Sequence, residues 1–265
     1  MDFNYFDIHS HIHDKEYDAD REEVLARMRE AKIGTITIGT YLESSKRAVA
    51  LAEKEGDVWA SVGIHPTDTN VTDLPAEFRE LARHRRVVAI GECGLDYFRG
   101  GTSDEEKRRQ RELFEMQIEL ALSIEKPLML HGRPSKGSMD AYYDMLDILY
   151  RYSREAGKEL RGNAHFFAGD RHVAAKFIEL GFTLSFPGVL TFTNDYDESV
   201  RTAPLSMIMS ETDSPYASPV PHRGKRNEPS YVQEVVRSIA RIRGEEEGTV
   251  KEALVANAIR RFGLT

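Results

Sequence analysis

Phe6-Asp7-Ile8-His9-Ser10-His11 is the stretch from which the rest of the chain can be read. Two histidines at i and i+2 on an extended segment project to the same side of a strand. Both imidazoles can then reach one ion, and His is the commonest metal-donating side chain near neutral pH. Asp7 is close enough in sequence to accept a hydrogen bond from one of the rings. Alone, a His-x-His pair is as readily a half-exposed strand end, so further donors must come from elsewhere in the chain.

Outward from that strand, the pattern alternates. Ala19 to Ile33 reads as a helix, with Asp20 as cap and Val24, Leu25, Met28 and Ala31 at helical spacing. The β-branched run Gly34 to Thr40 reads as a second strand. Strands are then expected at 58–63, 87–90, 127–130, 162–167, 182–186 and 206–210. Helices are expected at 44–55, 75–85, 104–125, 139–156, 171–180 and, weakly, 195–201. Two more helices, 230–243 and 249–262, finish the chain. Eight strands alternating with helices in 265 residues is the arithmetic of a (β/α)8 TIM barrel, an α/β fold. A doubly wound open sheet is the competitor, and no Gly-rich fingerprint follows a strand to support it. No linker or low-complexity stretch divides the chain, so 1–265 reads as a single domain with an extra C-terminal helix.

Composition narrows the function. Hydrophobic residues at 40% and charged residues at 30% describe an ordinary globular protein. No apolar run approaches the roughly 18 residues of a membrane span, so no membrane partner is expected. One cysteine, Cys93, excludes an internal disulfide framework. With no basic-then-apolar leader at the start, cytoplasmic localisation is expected. A formal charge of −8 argues against coating a nucleic-acid duplex. It leaves room for an enzyme that holds one phosphate with a metal and a few local cations.

The unusual polar residues fall at expected strand ends. His9 and His11 end strand 1, His65 follows strand 3, Glu92 ends strand 4, His131 strand 5, His165 strand 6 and Asp213 strand 8. Those ends converge on the C-terminal face of a barrel. Imidazole and carboxylate donors without thiolate suit zinc, manganese, iron or magnesium. The six donors that end strands, leaving aside His65, are too many for one tetrahedral ion but suit two, with Glu92 able to bridge them. Two ions about 3.5–4 Å apart activate water and clamp the attacking and leaving oxygens. Asp213 is then the carboxylate that takes the proton from that water.

These residues resemble a known family. Asp7-Ile-His-Ser-His11, Gly63-Ile-His-Pro66, Gly91-Glu-Cys-Gly-Leu-Asp-Tyr97 and Glu211-Thr-Asp-Ser-Pro215 are similar to blocks of the TatD family of metal-dependent deoxyribonucleases. Leu184-Ser-Phe-Pro-Gly188 and Arg223-Gly-Lys-Arg-Asn-Glu-Pro229 match further blocks, in order, so the resemblance covers nearly the whole chain. It implies a TIM barrel of the amidohydrolase-like group and divalent-metal-dependent hydrolysis of nucleic acid, trimming single-stranded ends of DNA or RNA. It also implies His9, His11, Glu92, His131, His165 and Asp213 as ligands of two divalent ions, magnesium, manganese or zinc. Gly132, His165-Phe-Phe-Ala-Gly169 and Thr193 depart from the family pattern, leave the ligand positions intact and bear on substrate preference.

A phosphodiester also needs cations that are not metal ligands. Arg133, Arg223 and Arg226 are the expected phosphate contacts, because guanidinium grips phosphate bidentately. His65 is expected to touch phosphate, and Tyr97 or Phe98 to stack a base or else lie in the core. No obligate protein partner is expected. The competing function is hydrolysis of an ester or C–N bond, such as removal of an acyl group from tRNA. Relatives acting on amides often bridge their metals with a modified lysine at the end of strand 4. Glu92 stands at that end here, and Lys126 lies at the wrong end of strand 5. A non-catalytic metal-binding scaffold is the third reading. His13 is expected to line the rim, Cys93 to be buried and inert, and Asn257 to pin the last helix to the barrel.

Overall fold

A computed structural model describes residues 2–68, 71, 73–99 and 103–264. Its strands are β1 (Tyr5–Ser10), β2 (Ile33–Ile38), β3 (Val58–Val62), β4 (Val87–Asp96), β5 (Leu128–Arg133), β6 (Gly162–Ala164), β7 (Thr183–Phe186) and β8 (Ile208–Ser210). Between them run α1 (Arg21–Glu30), α2 (Leu42–Lys54), α3 (Ala76–Ala82), α4 (Asp104–Ser123), α5 (Asp140–Ala156), α6 (Arg171–Glu179) and α7 (Asp197–Thr202). Helices α8 (Val232–Arg243) and α9 (Glu247–Phe262) follow β8. The strands are parallel and hydrogen-bonded in sequence order from β1 to β8, the (β/α)8 barrel that the alternation implies.

Local signals explain the elements. The strands are buried on both faces, so they read as apolar runs rather than alternating ones; β2 and β4 are buried at every position. Helix α4 starts at a reciprocal cap in which Ser103 accepts from the Glu106 amide and Glu106 reaches back to Ser103. Helix α8 stops at Gly244, whose φ of 68° is the left-handed end that glycine adopts without steric cost.

Three strands depart from their sequence reading by three residues or more, all at the functional end; one is β5, which runs on past Leu130 to Arg133 and so includes His131. Strand β4 runs on past Ile90 to Asp96, with a register shift against β5 between Ile90 and Cys93. Glu92 therefore lies within a strand rather than at its end. Strand β6 stops at Ala164, three residues early, because Phe166 turns into the left-handed region (φ 41°) and the chain leaves the sheet just after His165.

The larger core packs the outer face of the sheet against the helices. A second cluster, including Phe6, Ile36, Trp59, Val88 and Met209, is joined by Ala258 and Phe262 of α9. The terminal helix thus covers apolar side chains near the strand starts and leaves the opposite ends to polar residues. Asn257 locks it there, as expected from its place in the sequence: its amide donates to the carbonyls of Leu205 and Ile208 at 2.8 and 2.9 Å. No helix among the described residues is long and apolar enough to cross a membrane. Replacing Asn257 with Ala leaves those two carbonyls without their partner, so Asn257→Ala should lower unfolding stability by about 2 kcal/mol or more in urea denaturation. A change within about 0.5 kcal/mol, the range of ordinary surface substitutions, would show that α9 is held by apolar packing alone.

Candidate metal centre

The barrel is joined between β1 and β8 by the segment that carries the first donors. The Asp213 amide donates to the His9 carbonyl at 2.9 Å, and the His11 amide to the Ser214 carbonyl at 2.7 Å. Asp7 reinforces this seam. Its carboxylate accepts from the Thr212 amide (2.8 Å), the Thr212 hydroxyl (2.6 Å) and the His9 amide (3.2 Å). Asp7 therefore positions backbone, not an imidazole ring as the sequence reading had it. The partner that orients a ring is instead the Ile38 carbonyl, 2.9 Å from Nδ1 of His11, which leaves Nε2 to face Asp213 at 3.5 Å. Asp213 itself has a left-handed φ of 52°, uncommon for a residue with a side chain and a mark of a position over-determined by its surroundings.

Glu92 stands at the middle of the cluster. Its Oε2 lies 3.6 Å from Nε2 of His9. Its Oε1 lies 2.7 Å from Nδ1 of His131, 2.9 Å from Nε2 of His165 and 3.7 Å from Nε2 of His65. The two oxygens of one carboxylate thus serve two different groups of histidines. Glycines allow the close approach: Gly91 and Gly94 have φ of 146° and 137°, and a Cβ on them would collide with the carbonyls of Met129 and His131. The rings of His9 and His165 stack at 3.7 Å with 13° between planes, which brings β1 and β6 together.

All six expected ligand positions therefore meet in one place, from five strands or their ends. Two further carboxylates join them that the sequence reading did not assign. Asp96 faces Nε2 of His131 at 3.1 Å and forms a possible ligand group with His65 and His131. Glu211 lies 3.4 Å from Nδ1 of His165 and groups with His9 and His165. The available signals were weak: Asp96 is four residues from Glu92 along one strand, an even spacing that shares a face, and Glu211 is two residues before Asp213.

The donor set fits a divalent cation. His9 is fully buried, yet neither ring nitrogen has a hydrogen-bond partner among the described residues. Such orphaned groups ask for a partner. Nε2 of His9 is 3.6 Å from Glu92 and 3.7 Å from Asp213. Those separations are too long for hydrogen bonds but near the roughly 3.4 Å between donors on a tetrahedral zinc-sized ion. Burial and the neighbouring His165 lower the pKa of His9, favouring the neutral, metal-binding imidazole. Burial alone would lower His11 too, but Asp213 outweighs it and raises the group to about 9. The carboxylates likewise hold His165 well above its ordinary value against burial. A field that retains protons so firmly also attracts a cation that can replace them.

The substrate candidates separate. His65 belongs to the cluster itself, its ring 4.4 Å from that of His131, and burial with the His131 charge pushes it down to about 4. It can offer a neutral hydrogen bond or a lone pair. Arg133 and Arg223 have no carboxylate partner among the described residues; they lie over the rings of Phe98 and Phe192 at 4.3 and 3.8 Å. Arg226 is different: both its terminal nitrogens bind the Asp20 carboxylate, at 2.8 and 2.6 Å, so its charge is locally compensated. Tyr97 is buried and donates to Asp144, whereas Phe98 is exposed. His13 is buried between Thr37 and Ser44 rather than lining the rim.

A (β/α)8 barrel with these donors gathered at the C-terminal end of its sheet defines a metal-dependent hydrolase. The family model described as "TatD related DNase" matches residues 6–263, and the chain belongs to the TatD family. It is 36% identical over 264 residues to the uncharacterized metal-dependent hydrolase YabD of Bacillus subtilis, covering 97% of this chain and 98% of that one. It is 34% identical to the uncharacterized metal-dependent hydrolase YcfH of Escherichia coli K12, with 97% and 94% covered. Among solved structures, YjjV, a TatD homologue from Escherichia coli K12, superposes with a TM-score of 0.86 at 27% identity over 99% of both chains.

Because only the folded barrel brings these donors together, an ion that binds them should stabilise the fold. Adding a bound ion at 100 times its Kd should contribute about 2.7 kcal/mol, read as a rise in melting temperature that excess chelator reverses. His9→Ala combined with His11→Ala should bind fewer ions per chain by elemental analysis. An unchanged melting temperature and ion content would remove these residues from the metal site.

Proposed function

We propose that the chain is a divalent-metal-dependent deoxyribonuclease that shortens single-stranded DNA from its ends, and that it binds two ions. The observation that carries this reading is the division of Glu92 between two histidine groups: Oε2 toward His9, Oε1 toward His131 and His165. His9, His11, Glu92 and Asp213 would hold one ion, and Glu92, His131 and His165 the other. Such ions, when bound, supply Lewis acidity that lowers the pKa of water and offsets charge building on a phosphate.

The chain's own residues supply the rest. Asp213 Oδ1, beside Nε2 of both His9 and His11, is the oxygen that accepts the proton of the attacking water. Asp96 holds Nε2 of His131 and so sets the ring that reaches Glu92. Arg133 and Arg223 grip the flanking phosphates, and His65 hydrogen-bonds the one that reacts. The lysine that would favour amide chemistry is not at the site: Lys126 precedes β5, and its ammonium donates to the carbonyls of Ala82 and His84. The family description points the same way, toward DNA. A net charge of −8 suits an enzyme that admits a strand end at a few local cations rather than gripping duplex. The whole of 1–265 would act as one hydrolase domain, and the single buried cysteine suits a cytoplasmic setting.

The test is a substrate panel. Metal-reconstituted protein should degrade single-stranded DNA, and a Glu92→Ala, Asp213→Ala double variant should lose at least about a hundredfold in rate, as removing a general base alone costs about that much. If DNA survives with every metal while RNA, an acyl-tRNA or another ester or amide is turned over in a Glu92- and Asp213-dependent way, the substrate assignment is overturned.

A further inference from the structure

Large apolar side chains facing water need no explanation singly, but their clustering does. Seven are exposed among the described residues, and five of them, Tyr41, Phe98, Phe192, Tyr216 and Val220, lie in segments that leave the C-terminal ends of β2, β4, β7 and β8. The other two are on α5. None of the seven lies in a segment that enters a strand. The exposed aromatic surface therefore sits mainly on the loops of the end that carries the metal centre.

Three of these rings adjoin either the centre or an unpaired cation. Tyr216 is 58% exposed, and its ring lies 6.1 Å from that of His11. Phe98 is 52% exposed, and its amide donates to Asp96, whose other oxygen faces His131. Arg133 lies over the Phe98 ring at 4.3 Å. Around the rim, Phe192 carries the Arg223 guanidinium at 3.8 Å and, with Val220, lines a cavity of about 350 Å³ that Asn194, Arg237 and Arg241 also border. The size falls within the range of small-molecule sites. Because neither Arg133 nor Arg223 has a carboxylate partner among the described residues, the Phe98 and Phe192 rings each come with a positive charge open to a polyanion.

We propose that Phe98, Tyr216 and Phe192 form a base-stacking track for an unpaired nucleic-acid strand, with Phe98 and Tyr216 taking the nucleotides beside the metal centre and the Phe192 cavity a base further along. The proposal rests on the nuclease reading above and specifies how that site selects its substrate. Stacking on aromatic rings accepts any base, since every base has a π face. The guanidinium groups over Phe98 and Phe192 can reach phosphate oxygens while the rings take bases. Bases within a duplex already stack on one another and do not offer those faces, so this surface selects unpaired strands through their bases rather than through charge. That is the selection an acidic protein needs.

The test compares two polymers of equal length and charge: an oligothymidylate, and the same phosphodiester chain with tetrahydrofuran in place of every nucleoside. Metal-reconstituted wild type should cleave the thymidylate with a kcat/KM at least about tenfold higher. That ratio should fall toward one in a Phe98→Leu, Phe192→Leu, Tyr216→Leu triple variant, and using a ratio cancels any general loss of metal or fold. A wild type that cleaves both polymers equally, or a triple variant that keeps the wild-type ratio, overturns the stacking track and leaves the nuclease reading standing. A wild type that cleaves neither overturns the nuclease reading, and the track with it.

Discussion

The seam between β1 and β8 is the constraint on which the site depends. Sheet pairing runs in sequence order from β1 to β8, and at the functional end the last strand meets the first through His9, His11, Asp213 and Ser214. The same backbone bonds place three of the proposed ligands. Asp7 ties the seam by taking three hydrogen bonds inside it; burial raises its pKa well above the ordinary value despite those bonds. A buried carboxylate is costly unless its oxygens are satisfied. The fold meets that cost where it most needs rigidity, because donors on separate strands converge only if the barrel closes in one register.

Glu92 shows how a buried cluster of ionisable groups is kept stable. Burial acts to raise its pKa, and the surrounding imidazoles overcome this and hold it well below the carboxylate range. The rings in turn are held by carboxylates: His131 by Glu92 and Asp96, His165 by Glu92 and Glu211. The charges are mutually dependent, so the polar end of the barrel is organised as a unit, whereas the strand starts are organised by apolar packing against α9. The division fits the general rule that barrel chemistry sits at the C-terminal face and stability at the other.

The arginines illustrate why a charged run is a poor guide by itself. In His222-Arg223-Gly224-Lys225-Arg226 two arginines three residues apart have opposite fates. Arg223 lies over Phe192 with one guanidinium nitrogen on the Ser218 carbonyl, while Arg226 is bound on two sides by Asp20 and covers Tyr17. Asp20, which the sequence offers as a helix cap, makes no such cap; α1 begins without a side-chain hydrogen bond from it. An acidic neighbour more than 200 residues away decided which cation stays free.

Much of this protein was legible without coordinates, for a physical reason in each case. Hydrophobic periodicity is local, so eight strands and their intervening helices could be placed to within a few residues. The barrel follows from that count, and the convergence of His9, His11, Glu92, His131, His165 and Asp213 follows from the barrel, because strand ends share a rim whatever their separation in sequence. What the chain alone did not disclose depends on long-range geometry. Asp96 and Glu211 enter the cluster because β4 runs past Glu92 and because the turn after β6 brings the Phe166 amide to Glu211 at 2.7 Å. Asp7 turned to the backbone, His13 to two hydroxyls, and Tyr97 inward while its neighbour Phe98 faced water. Residue type and spacing determined which groups could do chemistry; the tertiary structure decided which of them meet, since hydrogen bonds and charges are settled by distances of a few ångströms that sequence separation does not encode.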